Sequence, residues 1–314
     1  MDELDVVVGL SPLGDGPSGH ARFASRAVEL GYGRLWLPEA FILDPVSFAG
    51  WCAATFPGRP LGLGVLPSPL RSGAQLAMTA ATLASLGVDD LVVALGTSSP
   101  KMMAGWHGRP PATVDGTARL IAEARAAASG RTESGFVNAL GPVPLRIYLA
   151  AFGPRMLRLA GATADGLALN FIGPDALPAV LATLDDGARS AGRTRPPVTV
   201  WTHVTVDPSD ADVRAARRFI GAYLRVPGYD RMLALHGYAD AVAAARGRSA
   251  REAAELVTDE MLRTVTGFGS AADARARVDA YRSHGATVAL MPGAVRPGAA
   301  TGRTLEALAP RPQR

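Results

Sequence analysis

One cysteine, Cys52, and one lysine, Lys101, stand among 314 residues. A lone cysteine excludes a disulfide within the chain and any cysteine-rich metal site, and it suits a reducing cytoplasm, the expected location. Basic charge is carried almost wholly by arginine, and the net charge is only +4. No run of basic residues is interleaved with aromatics, so no nucleic-acid partner is expected. No stretch of about 18 apolar residues is present, so no membrane span is expected. The opening MDELDVVVGL starts acidic and passes at once into a strand pattern, unlike a signal peptide. The chain has no HExxH, no Walker loop and no Ser-His-Asp order, which disfavours metal catalysis; no metal is expected. The first strand is not followed by GxGxxG, which argues against a classical dinucleotide fold.

What is present is apolar and periodic. Hydrophobic residues make up 48% of the chain and charged ones 19%, enough for a large core. Apolar runs at Asp5–Leu10, Arg34–Leu37, Leu61–Leu66, Leu91–Leu95, Leu145–Ala150, Asp165–Asn170, Val198–Val206 and Thr287–Met291 read as strands. Helical patterns fall between them, at His20–Leu30, Asp44–Thr55, Ser72–Leu86, Thr113–Ala128, Arg155–Ala162, Pro174–Ala191 and Ser270–His284. Asp44 or Ser47, Thr113 and Ser270 are candidate caps. Ser129–Pro144 has no clear period and reads as an excursion. Residues 210–265 are mostly helical and too long for one crossover, so they form an insertion before the last strand. A Pro-, Gly- and Arg-rich tail follows Pro292 and is expected to be partly mobile. Strands alternating with helices predict an α/β fold, a (β/α)8 TIM barrel, as one domain over residues 1–314. An open doubly wound sheet is the second choice.

The chain is organised around Leu91–Gly108, LVVALGTSSPKMMAGWHG. A buried strand breaks into small polar residues and closes on Gly105-Trp106-His107-Gly108, read as an exposed loop. In α/β folds such loops at strand carboxyl ends hold ligands. The same argument gathers Ser11, Glu39, Gly64–Pro67, Gly96–Ser99, Ala151–Pro154, Asn170 and His203. Several of these segments offer backbone and no reactive side chain, which suits a cofactor that brings its own chemistry. Ala151-Phe152-Gly153-Pro154 opens a helix and offers its free N–H groups to a phosphate. Gly62 and Gly64 inside a strand predict a bulge or the close approach of another group.

These segments resemble the bacterial-luciferase-like flavin and deazaflavin oxidoreductases, most closely the branch that uses coenzyme F-420. The resemblance rests on Ala27–Glu39 (AVELGYGRLWLPE) with Asp44, Leu61–Pro67 (LGLGVLP), Arg71 with Leu76–Leu83 (LAMTAATL), and Leu95–Gly108. It continues through Ile147–Gly166 (IYLAAFGPRMLRLAGATADG) and Ala271–Pro292, in order, from Asp5 to Pro292. It implies a TIM barrel with an insertion before its last strand. It also implies coenzyme F-420, with FMN as the alternative, lying across the barrel mouth. Gly64 and Val65 would form a bulge behind the tricyclic ring, with the peptide between them cis. Gly96, Thr97 and Ser98 would run beside the cofactor, Ala151, Phe152, Gly153 and Pro154 would hold its phosphate, and Glu39 would face it. Arg155, Arg158 and Lys101 are available to the carboxylate tail of F-420.

Four positions depart from the family pattern. Ala40 stands where many relatives have His, and Ala104 where a sub-branch has Glu. Gly73 replaces a helix-starting Pro, and Asp89-Asp90-Leu91 replaces Gly-Arg-Phe. With those His and Glu positions lost, His107 and Glu39 are the catalytic candidates. The expected activity is hydride transfer between F-420 and a small organic substrate. Two alternatives stay open: an FMNH2-dependent monooxygenase using O2, and a degenerate barrel that binds a flavin without turnover. A homodimer is left open as the assembly.

Overall fold

The computed structural model describes residues 4–8, 16–39, 43–293 and 299–310. Ser11 and Ala40 lie outside them. Nine strands appear among the described residues. They are β1 (Asp5–Val7), β2 (Leu35–Leu37), β3 (Leu61–Pro67), β4 (Leu91–Gly96), β5 (Arg146–Ala150), β6 (Gly166–Asn170), β7 (Val198–Val206), β8 (Thr266–Gly269) and β9 (Ala286–Pro292). Parallel strands alternate with helices in the order of a (β/α)8 barrel, the TIM-barrel class expected from the sequence.

The chain divides into two compact units. One comprises residues 34–168 and 183–197. Its strands run β2, β3, β4, β5 and β6, each parallel to the next. Every residue of β4 is buried, as a strand covered on both faces requires. The other unit comprises residues 1–33, 169–182 and 198–314. In it β9 pairs with β1 and β7, and β7 with β8. All nine residues of β7, mostly β-branched, are buried.

The caps follow the sequence. Asp44 accepts the Ser47 amide at 2.7 Å and Thr113 that of Gly116 at 3.0 Å, while Ser72 with Gln75 and Ser270 with Asp273 form capping boxes. The Ser129–Pro144 excursion holds one antiparallel bridge, Arg131 to Val137, and lays Phe136 and Val143 on Ala77, Ala127 and Ala128.

Four expectations need correction. The first helix begins at Gly16, four residues before His20. The insertion is helical from Asp210 to Val265 but then adds a strand, β8, on the carboxyl half of β7. Its sequence, TGFG, is too short and glycine-rich to carry a strand pattern. Gly105-Trp106-His107 is no loop: Pro100–His107 is a helix, capped by Ser99 and ended by Gly108 in the left-handed region. Ser-Pro is itself a start signal, masked here by the glycines. The tail carries a helix, Ala299–Leu308, with Leu305 and Leu308 buried. Tyr32 donates to the Leu305 carbonyl at 2.9 Å, and the Val206 amide donates to the Thr304 hydroxyl at 2.9 Å. Those few anchors sit in a composition that hides them.

Two family departures have structural reasons. A Cβ at Gly73 would stand 2.5 Å from the backbone of Glu123, so the helices Gly73–Ser85 and Val114–Ala128 meet at contact distance there. Asp90 pairs with Arg34 at 2.6 Å and with Arg146, tying together the starts of β2, β4 and β5. Gly73→Ala is therefore expected to destabilise the fold by about 1–3 kcal/mol, the cost of overpacking. Gly105→Ala, with open space around it, is expected to gain about 0.5–1 kcal/mol from helix propensity. Urea denaturation of both variants measures the difference; equal effects would contradict the packing argument.

Candidate active site

The candidate residues of the unit 34–168 lie along one edge, at the carboxyl ends of neighbouring strands. Registry fixes this: Leu37 is level with Leu63, Pro67 with Gly96, and Leu95 with Leu149. Glu39, Gly64–Pro67, Gly96–Ser98 and Ala151–Pro154 therefore end or follow strands that are successive neighbours.

The expected bulge in β3 is present. The Gly64–Val65 peptide is cis, and the register against β4 shifts between Leu63 and Leu66. A Cβ at Gly64 would lie 2.6 Å from that of Ala94, so no larger residue fits. Val65 is the one residue of β3 not fully buried. Its Cγ1 fills the space that a side chain at Gly96 would need. A valine side chain thus lies over the bare backbone at the end of β4. Thr97 and Ser98 continue from there, both partly exposed, and Ser98 is held at a φ of 56°. A non-glycine residue in that region is uncommon and concentrates at functional sites.

Next along the edge, Ala151 is buried, Phe152 and Gly153 are half-buried and Pro154 is exposed. Gly153 caps the helix Pro154–Thr163 with extended backbone and no side-chain bond. Its first-turn amides, those of Arg155 and Met156, have no intrahelical acceptor. They form the positive end of the helix, suited to an anion.

A charged cluster stands at the end of β2. Glu39 accepts a short hydrogen bond from Arg71, with both side chains under one-fifth exposed. Burial pushes the Glu39 carboxyl up; Arg71 opposes this, Asp44 adds to it and His107 opposes it. Glu39 and His107, far apart in sequence, therefore share one electrostatic neighbourhood. His107 is exposed, on the last helical residue before Gly108. Arg71 is the residue the sequence reading passed over as a site member. Its position just past the proline-rich end of β3 was the available signal.

Other candidates fall elsewhere. Lys101, Arg155 and Arg158 are exposed. Asn170 and His203 belong to the other unit, where His203 is buried between Phe171 and Phe219. Among the described residues no group of three or more His, Cys, Asp or Glu is placed to hold a metal ion, and no helix is long and apolar enough to cross a membrane.

Comparison with known proteins places the fold and the family. The chain is 25% identical over 287 residues to a 5,10-methylenetetrahydromethanopterin reductase of Methanolobus tindarius, covering 85% of this chain and 87% of that one. Its fold matches the coenzyme F-420-dependent tetrahydromethanopterin reductase of Methanopyrus kandleri with a TM-score of 0.78, at 17% identity over 98% and 97% of the two chains. It also matches the oxygenating component of 3,6-diketocamphane monooxygenase from Pseudomonas putida, solved with FMN, with a TM-score of 0.69, at 16% identity over 98% and 96%. The family model of the luciferase-like monooxygenases matches residues 7–288, nearly the whole chain, and the chain belongs to that family.

Proposed function

We propose that the chain is an oxidoreductase that moves a hydride between coenzyme F-420 and a small organic substrate. One observation carries most of this reading: the Val65 side chain over the bare backbone at Gly96, beside a helix start with no side-chain cap. The first gives a flat apolar wall and the second an anion seat, which together fit a planar ring joined to a phosphate. The kinship with the F-420-dependent reductase supports the same cofactor. When bound, the deazaflavin supplies the hydride acceptor or donor.

This chain's own residues do the rest. Val65 and Gly96 give the ring a wall. The amides of Arg155 and Met156 would hold the phosphate. His107 gives or takes the proton that accompanies the hydride on the substrate. Arg71 holds the Glu39 carboxyl by a hydrogen bond and opposes the effect of its burial, and His107 shares that electrostatic neighbourhood. FMN with O2 is the second reading, favoured by the FMN-bound monooxygenase of like fold.

Titration of the purified protein with each cofactor tests the choice. F-420 is expected to bind more tightly, and salt to weaken F-420 more than FMN because of its carboxylate tail. FMN binding tenfold more tightly would overturn it. His107→Ala is expected to lower turnover by about a hundredfold or more, the usual range for a lost acid–base group, with cofactor affinity and Tm nearly unchanged. A lower Tm with unchanged turnover would make His107 structural.

Arg71→Gln removes the cation that opposes burial, so the Glu39 titration midpoint is expected to rise. Carboxyl carbon NMR of the two proteins measures it, and an unmoved midpoint would contradict the pairing.

A further inference from the structure

The unit that contains β7 carries a second feature, which the redox reading does not use. Five rings pack there in sequence: Phe171 to His203 at 5.0 Å, His203 to Phe219 at 4.9 Å, Phe219 to Tyr223 at 4.8 Å and Tyr223 to Tyr229 at 4.5 Å between centroids. Phe171 follows the carboxyl end of β6, His203 sits in β7, and the other three come from the helices Asp210–Tyr223 and Tyr229–Leu235 of the insertion. Strand carboxyl ends and the loops after them are where barrels of this class bind ligands.

Three observations separate this cluster from ordinary core. His203 is only 3% exposed, yet among the described residues its Nε2 has no hydrogen-bond partner. Buried polar atoms are paired in most folded proteins, and an orphan needs a reason. Burial pushes its imidazole down to about 3, so the ring stays neutral near pH 7 and Nε2 can serve a neutral partner. Second, Phe219, Tyr223 and Tyr229 keep partial solvent exposure, although burial pushes both tyrosine hydroxyls up. These three rings pack against the buried core around Phe171 and are still reached by water, so the cluster has an open edge. Third, Phe171 is held at a φ of 54°. Its amide is bound by Asn170 Oδ1 at 2.8 Å, and Tyr281 donates to the next carbonyl, that of Ile172, at 2.5 Å. The backbone at the buried end of the cluster is fixed in an uncommon conformation.

None of the five rings carries a charge near pH 7. Such a lining repels no apolar ring and holds no cation to balance the charge of a carboxylate or phosphate. We propose that these residues form a binding recess for an uncharged aromatic or alicyclic molecule bearing one hydroxyl or carbonyl group, which pairs with His203 Nε2. Calling that molecule the substrate rests on the redox reading; the recess itself does not.

The test uses the full chain without cofactor, labelled with nitrogen-15 at histidine, and three probes of equal ring size: benzyl alcohol, toluene and benzoate. Benzyl alcohol is expected to shift the His203 Nε2 resonance and to bind about fivefold or more tightly than toluene. Benzoate is expected to bind at least tenfold more weakly than benzyl alcohol. In His203→Phe the preference for benzyl alcohol over toluene is expected to vanish while toluene binding persists; His203→Gln is expected to keep part of it. The proposal is overturned by an unmoved His203 resonance with benzyl alcohol, by benzoate binding as well as the alcohol, or by the preference surviving in His203→Phe. The wild-type arms decide even where a variant fails to fold. With no cofactor present, a negative result here leaves the redox reading standing, and failure of F-420 to bind leaves the recess standing.

Discussion

Val65 and the backbone of Gly96 occupy one space, and the candidate site depends on that contact. A side chain at position 96 would collide with Val65, and one at position 64 would collide with Ala94. The two glycines and the valine are thus a single packing solution spread over β3 and β4. Its result is a strand edge that presents an apolar side chain over bare backbone and leaves Thr97 and Ser98 to follow. Close-packed interiors admit few such solutions, and a single added methyl group is felt.

The charged end of the edge obeys a different constraint. Glu39 is buried enough to resist ionising, and Arg71 is buried with it. Such a pair costs desolvation on both sides and returns little net stability, so stability is a weak account of why it is there. Orientation is a better one: Arg71 Nη1 is anchored on the Leu70 carbonyl while Nη2 holds the Glu39 carboxylate in place. Asp44, which holds the start of the following helix through the Ser47 amide, also presses on Glu39. One short segment therefore sets both a helix end and the electrostatics of the candidate catalytic pair.

The architecture was legible because apolar runs and caps are local signals. Leu91–Leu95, Val198–Val206, Asp44, Thr113 and Ser270 each declare their role within a few residues, and the structure has them there. The Gly64–Val65 bulge was legible from glycines misplaced in a strand together with the family resemblance. What was missed depends on contacts distant in sequence. β8 exists because β7 offers it a partner. The tail helix is held by Tyr32 and Val206, and Gly73 is required by Glu123, some fifty residues later. Arg71 gains its meaning only beside Glu39. The five-ring cluster escaped for the same reason: His203 reads as an ordinary core histidine until Phe171 and Phe219 are seen around it.

A crystal structure of the chain grown with oxidised coenzyme F-420 tests the central claim most directly. The account predicts the tricyclic ring against Val65 and Gly96, with the phosphate on the amides of Arg155 and Met156. Density for the cofactor away from that strand edge, or a phosphate held by side chains elsewhere, would contradict it.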